Sequence, residues 1–392
     1  MAYVVEYKCA RCGSKYKPNI PQTVCKSCNG PLLAVYDIEL AKKVLGKHVF
    51  SSRPNSMWRY LELLPISDER NIVSLGEGYT PLIKLERLRE KLGLKNLYMK
   101  DEGRNPTATF KDRPISATVS VLKELNVKSV AIPTAGNAGA SLAAYGVRAG
   151  LDVHIVMPSD TPKTIYMEAV FHNVDVKLVN GLISDAGKYV AEAVSRYGWF
   201  DISTMKVPYR VEGTKTMGFE VCEQLGWSSP DVIIFPTGGG EGVIGIWKAF
   251  KELIELGWVK RMPRIVVVQS ECCKPIVSAY NRGSERVEFF SGCKTIASGL
   301  RVPKPFADKE ILKIIRESGG TAVDVSEKEI INSLNELASK EGILACPEGA
   351  AAYAAVKKLL DYKLIDKDEE TIVYNTGSGL KYMDLLYQTP DT

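Results

Sequence analysis

The sequence predicts an α/β protein with two parallel-sheet α/β domains and a small N-terminal zinc ribbon built on four cysteines. Three observations carry this. From about residue 72 onward, short β-rich runs alternate with helical stretches, a pattern that implies parallel sheets covered on both faces. At 392 residues the chain exceeds one simple core, so two or three domains are expected. Four of the nine cysteines form two C-x-x-C pairs near the N-terminus, and the other five are scattered.

The ribbon comes first, in residues 1–35. Cys9-x-x-Cys12 and Cys25-x-x-Cys28 each sit in a tight turn closed by Gly or Asn-Gly, so that two thiolates face one ion. Four sulfurs suit tetrahedral zinc. Lys8, Arg11, Lys15, Lys17 and Lys26 stand against Glu6, and a zinc tetrathiolate carries about −2 of its own. That leaves too little charge for a phosphate-binding surface. A structural knob, or a contact to another domain or subunit, is the expected role. Residues 36–71 read as a helical connector, with Trp58 and Tyr60 as packing residues.

Beyond it, "VKSVAIPT", "LDVHIVMP", "PDVIIFPT", "RIVVVQS" and "EETIVYNTG" read as strands. "GASLAAYGVRAG" and "VIGIWKAFKELIELG" read as helices. Ligands of such sheets gather at the carboxyl ends of the strands. The composition is that of a soluble enzyme, with 45% apolar and 25% charged residues and a net charge of +5. No apolar run reaches membrane-spanning length and the N-terminus lacks a signal-peptide core, so a cytoplasmic location is expected, with no membrane or nucleic-acid partner. The scattered cysteines are expected to be buried thiols. His48, His154 and His172 read as packed or surface residues, leaving a His-centred triad little to draw on.

Three strand-end loops carry chemistry. "PTAGNAGAS" (133–141) permits two readings: a plain helix start with Asn137 near the cap, or an amide offered to a ligand oxygen. "PTGGGEG" (236–242) gathers backbone N–H groups at a helix N-terminus, a phosphate cradle. It also contains Gly240-Glu-Gly242-Val-Ile-Gly245, a G-x-G-x-x-G match, with Glu271 after the next strand; this keeps an NAD(P)-dependent oxidoreductase open. "NTGSGLK" (375–381) presents Thr376 at a strand end.

In "RNPTATFKDRP", Lys111 directly precedes a helix for which Asp112 is the expected N-cap and Pro114 lies in the first turn. The positive potential there favours a nucleophilic amine over an ammonium, with Asp112 partly opposing it. One arrangement accounts for all the pieces: Lys111 as a Schiff base to pyridoxal phosphate, the glycine loop on the phosphate, Asn137 on the ring hydroxyl and Thr376 on the ring nitrogen.

These motifs, with "SLGEGYTPLIKLERL", "PYRVEGTKTMGFEVCEQLGW" and "EGILACPEGAAA", resemble the threonine synthases within the fold type II pyridoxal-phosphate enzymes (the tryptophan synthase β-like group), over nearly the whole chain. The resemblance implies two α/β domains with the cofactor in the cleft. The large domain combines residues 72–105 and 207–392, and the small one spans 106–206. It implies Lys111 as the catalytic residue, and Phe110, Lys111, Asn137, Gly238, Gly239, Gly240, Glu241, Gly242 and Thr376 as cofactor-binding residues. Arg210 is the candidate for substrate phosphate and Thr134 for substrate carboxylate. The implied reaction turns O-phospho-L-homoserine and water into L-threonine and phosphate, in a homodimer.

The chain departs from the family pattern at Ala135 and Ala138, where many members place hydroxyl residues that hold the substrate carboxylate. Met205 falls where some relatives are polar, and the Glu241 carboxylate stands beside the phosphate site. A serine or threonine dehydratase, or a phosphoserine-using synthase of the same fold, therefore stays open.

Overall fold

The computed structural model describes residues 3–386. Its strands, in chain order, are β1 (Val4–Cys9), β2 (Lys15–Tyr16), β3 (Leu32–Tyr36), β4 (Leu82–Lys84), β5 (Asn96–Asp101), β6 (Ser129–Pro133) and β7 (Asp152–Pro158). They continue as β8 (Asp175–Val179), β9 (Phe200–Asp201), β10 (Val232–Pro236), β11 (Arg264–Ser270), β12 (Thr321–Val325) and β13 (Glu370–Asn375). The chain divides into two compact units, one of residues 1–79 with 111–217 and the other of residues 80–110 with 218–392. The sequence boundaries stand at 72, 106 and 207; the compact units change over after residues 79, 110 and 217.

The first unit holds two sheets. β2, β1 and β3 form a small antiparallel sheet that carries the ribbon. β8, β7, β6 and β9 form a sheet whose pairs are all parallel. Between the two in sequence, the connector is a short helix (Ile38–Val44) and three 3-10 turns. Tyr60 is buried there, and the Trp58 Nε1–H donates to Glu77 Oε1 (2.8 Å) and Ser116 Oγ (3.1 Å), so Trp58 is a polar tie as well as a packing residue. The ribbon is fastened to the helix Tyr209–Gln224. The Gln22 N–H donates to the Tyr209 hydroxyl (2.8 Å), Tyr7 meets the Tyr209 ring edge-on, and the Tyr36 hydroxyl donates to Glu212, which also pairs with buried Lys215.

The second unit is one six-stranded sheet in the order β12-β11-β10-β13-β5-β4, parallel except for β4. β10, β11 and β13 are buried along almost their whole length. That is why they read as continuous apolar runs: both faces are covered by helices. β5 carries the buried Lys100, whose ammonium meets Glu220 (2.8 Å), Gln224 Oε1 (3.0 Å) and the Thr80 carbonyl (2.6 Å). A buried charge needs this full set of partners.

The expectation that all five scattered cysteines are buried thiols is corrected here. Cys272 and Cys293 form a disulfide, while Cys222, Cys273 and Cys346 are buried thiols. Among the described residues no helix is long and apolar enough to cross a membrane.

Candidate active site

The last strand in sequence, β13, inserts between β10 and β5, so the three neighbouring strands β10, β13 and β5 end at one edge of the second unit's sheet. From these ends leave the glycine loop, the Thr376 loop and the segment that leads to Lys111. Asn375 at the end of β13 donates through Nδ2 to Asp101 Oδ1 (2.8 Å) at the end of β5. The segment before Lys111 is then stitched along the Thr376 loop. The Phe110 N–H donates to the Thr376 carbonyl (3.0 Å), the Ser378 N–H to the Ala108 carbonyl (2.9 Å), and Lys381 Nζ to the Thr107 carbonyl (2.9 Å). Ala108 takes a φ of 57°, a left-handed conformation uncommon for a residue with a side chain. The residue preceding Lys111 is thus fixed by the backbone of the residue expected at the ring nitrogen.

Phe235 at the end of β10 unites the same three segments. Its ring meets Phe110 edge-on (5.8 Å) and tilts against Tyr374 (5.1 Å). A Cβ on Gly242 would fall 2.1 Å from the same ring. Gly242 is therefore a glycine because the helix Glu241–Glu255 starts directly over Phe235. That packing accounts for this member of the G-x-G-x-x-G match without a dinucleotide. Gly238 and Gly240 are also bound by space: a Cβ on the first would lie 2.3 Å from the Gly299 carbonyl oxygen, and one on the second 2.1 Å from Ile311. Gly240 is the N-cap of the helix, with a φ of 85°. Gly239 is partly exposed, while Glu241 is buried in the first helical turn. A glycine-walled loop at a helix N-terminus fits a phosphate group.

Thr376 is buried, with its hydroxyl 3.5 Å from Cys346 Sγ. Burial, and then the neighbouring Glu348 carboxyl, push the Cys346 thiol well above its ordinary pKa. The thiol beside the Thr376 hydroxyl therefore stays neutral.

In the first unit, Lys111 is the N-cap of the helix Asp112–Glu124. The expectation that Asp112 caps this helix is corrected. Asp112 lies within the first turn, fully buried, and its Oδ1 accepts from Ser141 Oγ (2.7 Å) on the helix Asn137–Ala149. The carboxylate that sequence reasoning gave to a cap instead ties two helices together. The helix Tyr209–Gln224 closes on the same turn. A Cβ on Gly213 would lie 2.0 Å from the Arg113 carbonyl oxygen, and Arg113 donates to Thr216 Oγ1 (2.9 Å).

Asn137 is the first residue of its helix, after Gly136 at a φ of 132°. Thr134 is buried and its hydroxyl accepts the Gly136 N–H (3.0 Å). Arg210 is fully buried and donates to the Ile202 carbonyl (3.2 Å). Phe110, Gly238, Gly239, Gly240, Glu241, Gly242 and Thr376 thus stand in one compact unit, and Lys111, Thr134, Asn137 and Arg210 in the other. Sequence reasoning missed Phe235, Cys346 and Glu348; the last two lie in the quoted "ACPEGAAA", to which no role was given.

The ribbon cysteines gather as their spacing implies. The Sγ atoms of Cys9, Cys12, Cys25 and Cys28 lie within 4.8 Å of one another, with Cys9–Cys28 at 3.4 Å and Cys12–Cys25 at 3.5 Å. Zinc–sulfur bonds of about 2.3 Å need edges of about 3.8 Å, so the set fits a tetrahedral zinc.

Comparison with known proteins agrees with this geometry. Residues 73–377 match the family model of the pyridoxal-phosphate dependent enzymes. The threonine synthase of Methanocaldococcus jannaschii is 37% identical over 96% of this chain and 93% of its own length. That of Methanosarcina acetivorans is 36% identical over 95% of this chain and 91% of its own. Among solved structures, the processed threonine deaminase isoform 2 of Solanum lycopersicum superposes with a TM-score of 0.67 at 22% identity, over 83% of this chain and 92% of that one. Maize serine racemase gives 0.67 at 20% identity, over 77% and 88%. These two show a shared fold. The chain belongs to the fold type II pyridoxal-phosphate dependent enzymes and, within them, to the threonine synthases.

Proposed function

We propose that the chain converts O-phospho-L-homoserine and water to L-threonine and phosphate. The observation that carries the reading is the backbone bond from Phe110 to Thr376, which fixes the chain immediately before Lys111 at the end of β13. Pyridoxal phosphate, when bound, supplies the electron sink that acidifies the carbons next to the substrate amine. Lys111 would hold its aldehyde carbon, the Gly238–Gly242 loop its phosphate, Asn137 its ring oxygen and Thr376 its ring nitrogen. When not engaged with the aldehyde, the Lys111 amine would be the base at Cα. One proton would leave Cβ as phosphate, the group for which Arg210 is proposed, departs from Cγ; Cγ would gain a proton, water would add its hydroxyl at Cβ, and the Cα proton would be returned. A neutral hydroxyl at Thr376 beside a neutral thiol keeps the electron sink mild, which suits a reaction that must reach Cβ and Cγ.

The deciding experiment measures phosphate and threonine from O-phospho-L-homoserine, with L-serine, L-threonine and O-phospho-L-serine alongside. Stoichiometric phosphate and threonine from the first support the reading, and Lys111→Ala abolishes both along with the yellow colour. Consumption of another amino acid instead would move the chain to a dehydratase or a phosphoserine-using synthase.

Zinc on Cys9, Cys12, Cys25 and Cys28 is proposed as a structural ion. The ribbon's ties to Tyr209 and Glu212 support that role, and chelation should lower the melting temperature. A homodimer is proposed from the family resemblance, and a cytoplasmic location with no nucleic-acid partner from the composition and modest charge. Sedimentation and salt-dependent DNA binding test these.

A further inference from the structure

Glu348 stands in the first turn of the helix Pro347–Asp361, 5% exposed. Its Oε1 accepts the Gly299 N–H at 2.7 Å, and its Oε2 is buried. Burial lifts its pKa above the ordinary carboxyl range, and the side chains of Cys346 and Tyr382 stand beside it. A helix N-terminus welcomes a carboxylate in its first turn. It does not by itself account for burying one almost completely, which costs stability that an apolar residue would not.

What the carboxyl touches does account for it. A Cβ on Gly299 would lie 2.9 Å from Glu348 Oε1, and a Cβ on Gly238 would lie 2.3 Å from the Gly299 oxygen. Gly238, the Gly299 peptide and Glu348 are therefore stacked, and glycine at both positions permits the approach. On the other side, Cys346 next to Glu348 receives the Gly349 N–H (3.3 Å) and lies 3.5 Å from the Thr376 hydroxyl. One side chain is thus continuous with the glycine loop after β10 and with the hydroxyl after β13.

We propose that Glu348 is a positioning residue for the cofactor: it clamps the Ser298–Leu300 turn onto Gly238 and backs the Cys346–Thr376 pair, holding the phosphate loop and the Thr376 hydroxyl at a fixed separation. This rests on the assignment of those two loops to pyridoxal phosphate.

The test is cofactor retention. Holoenzyme is dialysed against a series of pyridoxal phosphate concentrations, and the remaining visible absorbance is read for the parent, Glu348→Ala, Glu348→Gln and Gly299→Ala. Glu348→Ala should retain cofactor about tenfold less tightly. Glu348→Gln, whose amide oxygen still accepts from Gly299, should stay within about threefold of the parent. Gly299→Ala, which pushes a methyl into the carboxyl, should fall with Glu348→Ala, and it decides the matter if Glu348→Ala does not fold. Parent-like retention in Gly299→Ala and Glu348→Ala overturns the proposal. So does a Glu348→Gln that loses cofactor and melting temperature together, as a plain core residue would. A parent protein that shows no absorbance with pyridoxal phosphate, and no borohydride-trapped adduct at Lys111, would instead remove the cofactor assignment itself.

Discussion

The loop after β6 and the loop after β10 start alike and end differently. Each strand closes with Pro-Thr, and in each the Thr N–H donates to the neighbouring strand: Thr134 to Val156 (3.0 Å) and Thr237 to Val268 (2.8 Å). Each loop then reaches a glycine N-cap at positive φ and opens a helix. The threonine hydroxyls part company. Thr134 accepts the N–H of its own loop at Gly136, whereas Thr237 donates back to the Phe235 carbonyl (2.9 Å). The first loop satisfies its backbone internally and offers a side chain, Asn137. The second is walled by three consecutive glycines and offers backbone. One framework thus presents either a side-chain amide or bare backbone, according to where a hydroxyl points and how many Cβ atoms are left out.

The sharpest way to break this contrast is to add a methyl to each loop. Gly238→Ala meets a backbone oxygen that cannot step aside. It should cost about 3 kcal/mol, read as a loss of cofactor affinity near a hundredfold. Gly139→Ala meets Met157 Cε, Thr134 Cγ2 and Ile155 Cγ2 at 2.7 to 2.8 Å, side-chain atoms rather than backbone. It should lower stability by about 1 kcal/mol and leave cofactor affinity in place. Equal losses of affinity would mean that the two loops do the same work. The next effect in size is Asn137→Ala, which removes one amide donor. A loss of about tenfold in kcat/KM is expected, with a shifted absorbance maximum and an unchanged melting temperature.

Much of this contrast was legible before any coordinates. Buried parallel strands write themselves as runs such as "TIVYN" because both faces exclude water. The ribbon was legible because tetrahedral ligation is local, and two C-x-x-C turns nearly define it. What pairwise contact decides was not legible. Asp112 has a capping residue's chemistry, but Ser141 from another helix claims its carboxylate. Cys272 and Cys293 are 21 residues apart with no local pattern to join them. Phe235 looked like one more apolar strand residue, yet Phe110, Tyr374 and Gly242 all converge on it.

Smaller changes sharpen the comparison within each loop. Glu241, buried in the first turn of its helix, is favoured by the helix dipole and would be opposed by a phosphate held on this loop. Glu241→Gln should therefore lower the melting temperature slightly and tighten pyridoxal phosphate by about threefold, or about 0.7 kcal/mol. Loss of affinity would show that the carboxylate serves the loop through its own contacts.

The smallest effect belongs to Ala135, partly exposed between Thr134 and Gly136. Ala135→Ser adds a hydroxyl where many family members have one, in a loop whose existing threonine hydroxyl is already engaged by Gly136. If the substrate carboxylate lies against this loop, the new donor strengthens ground state and transition state alike. KM for O-phospho-L-homoserine should then fall by about threefold with kcat unchanged. An unchanged KM would mean that this part of the loop does not meet the carboxylate, or that backbone N–H groups already saturate it. A lower kcat would mean that the hydroxyl holds the substrate in the wrong place, and that alanine there is part of this chain's specificity.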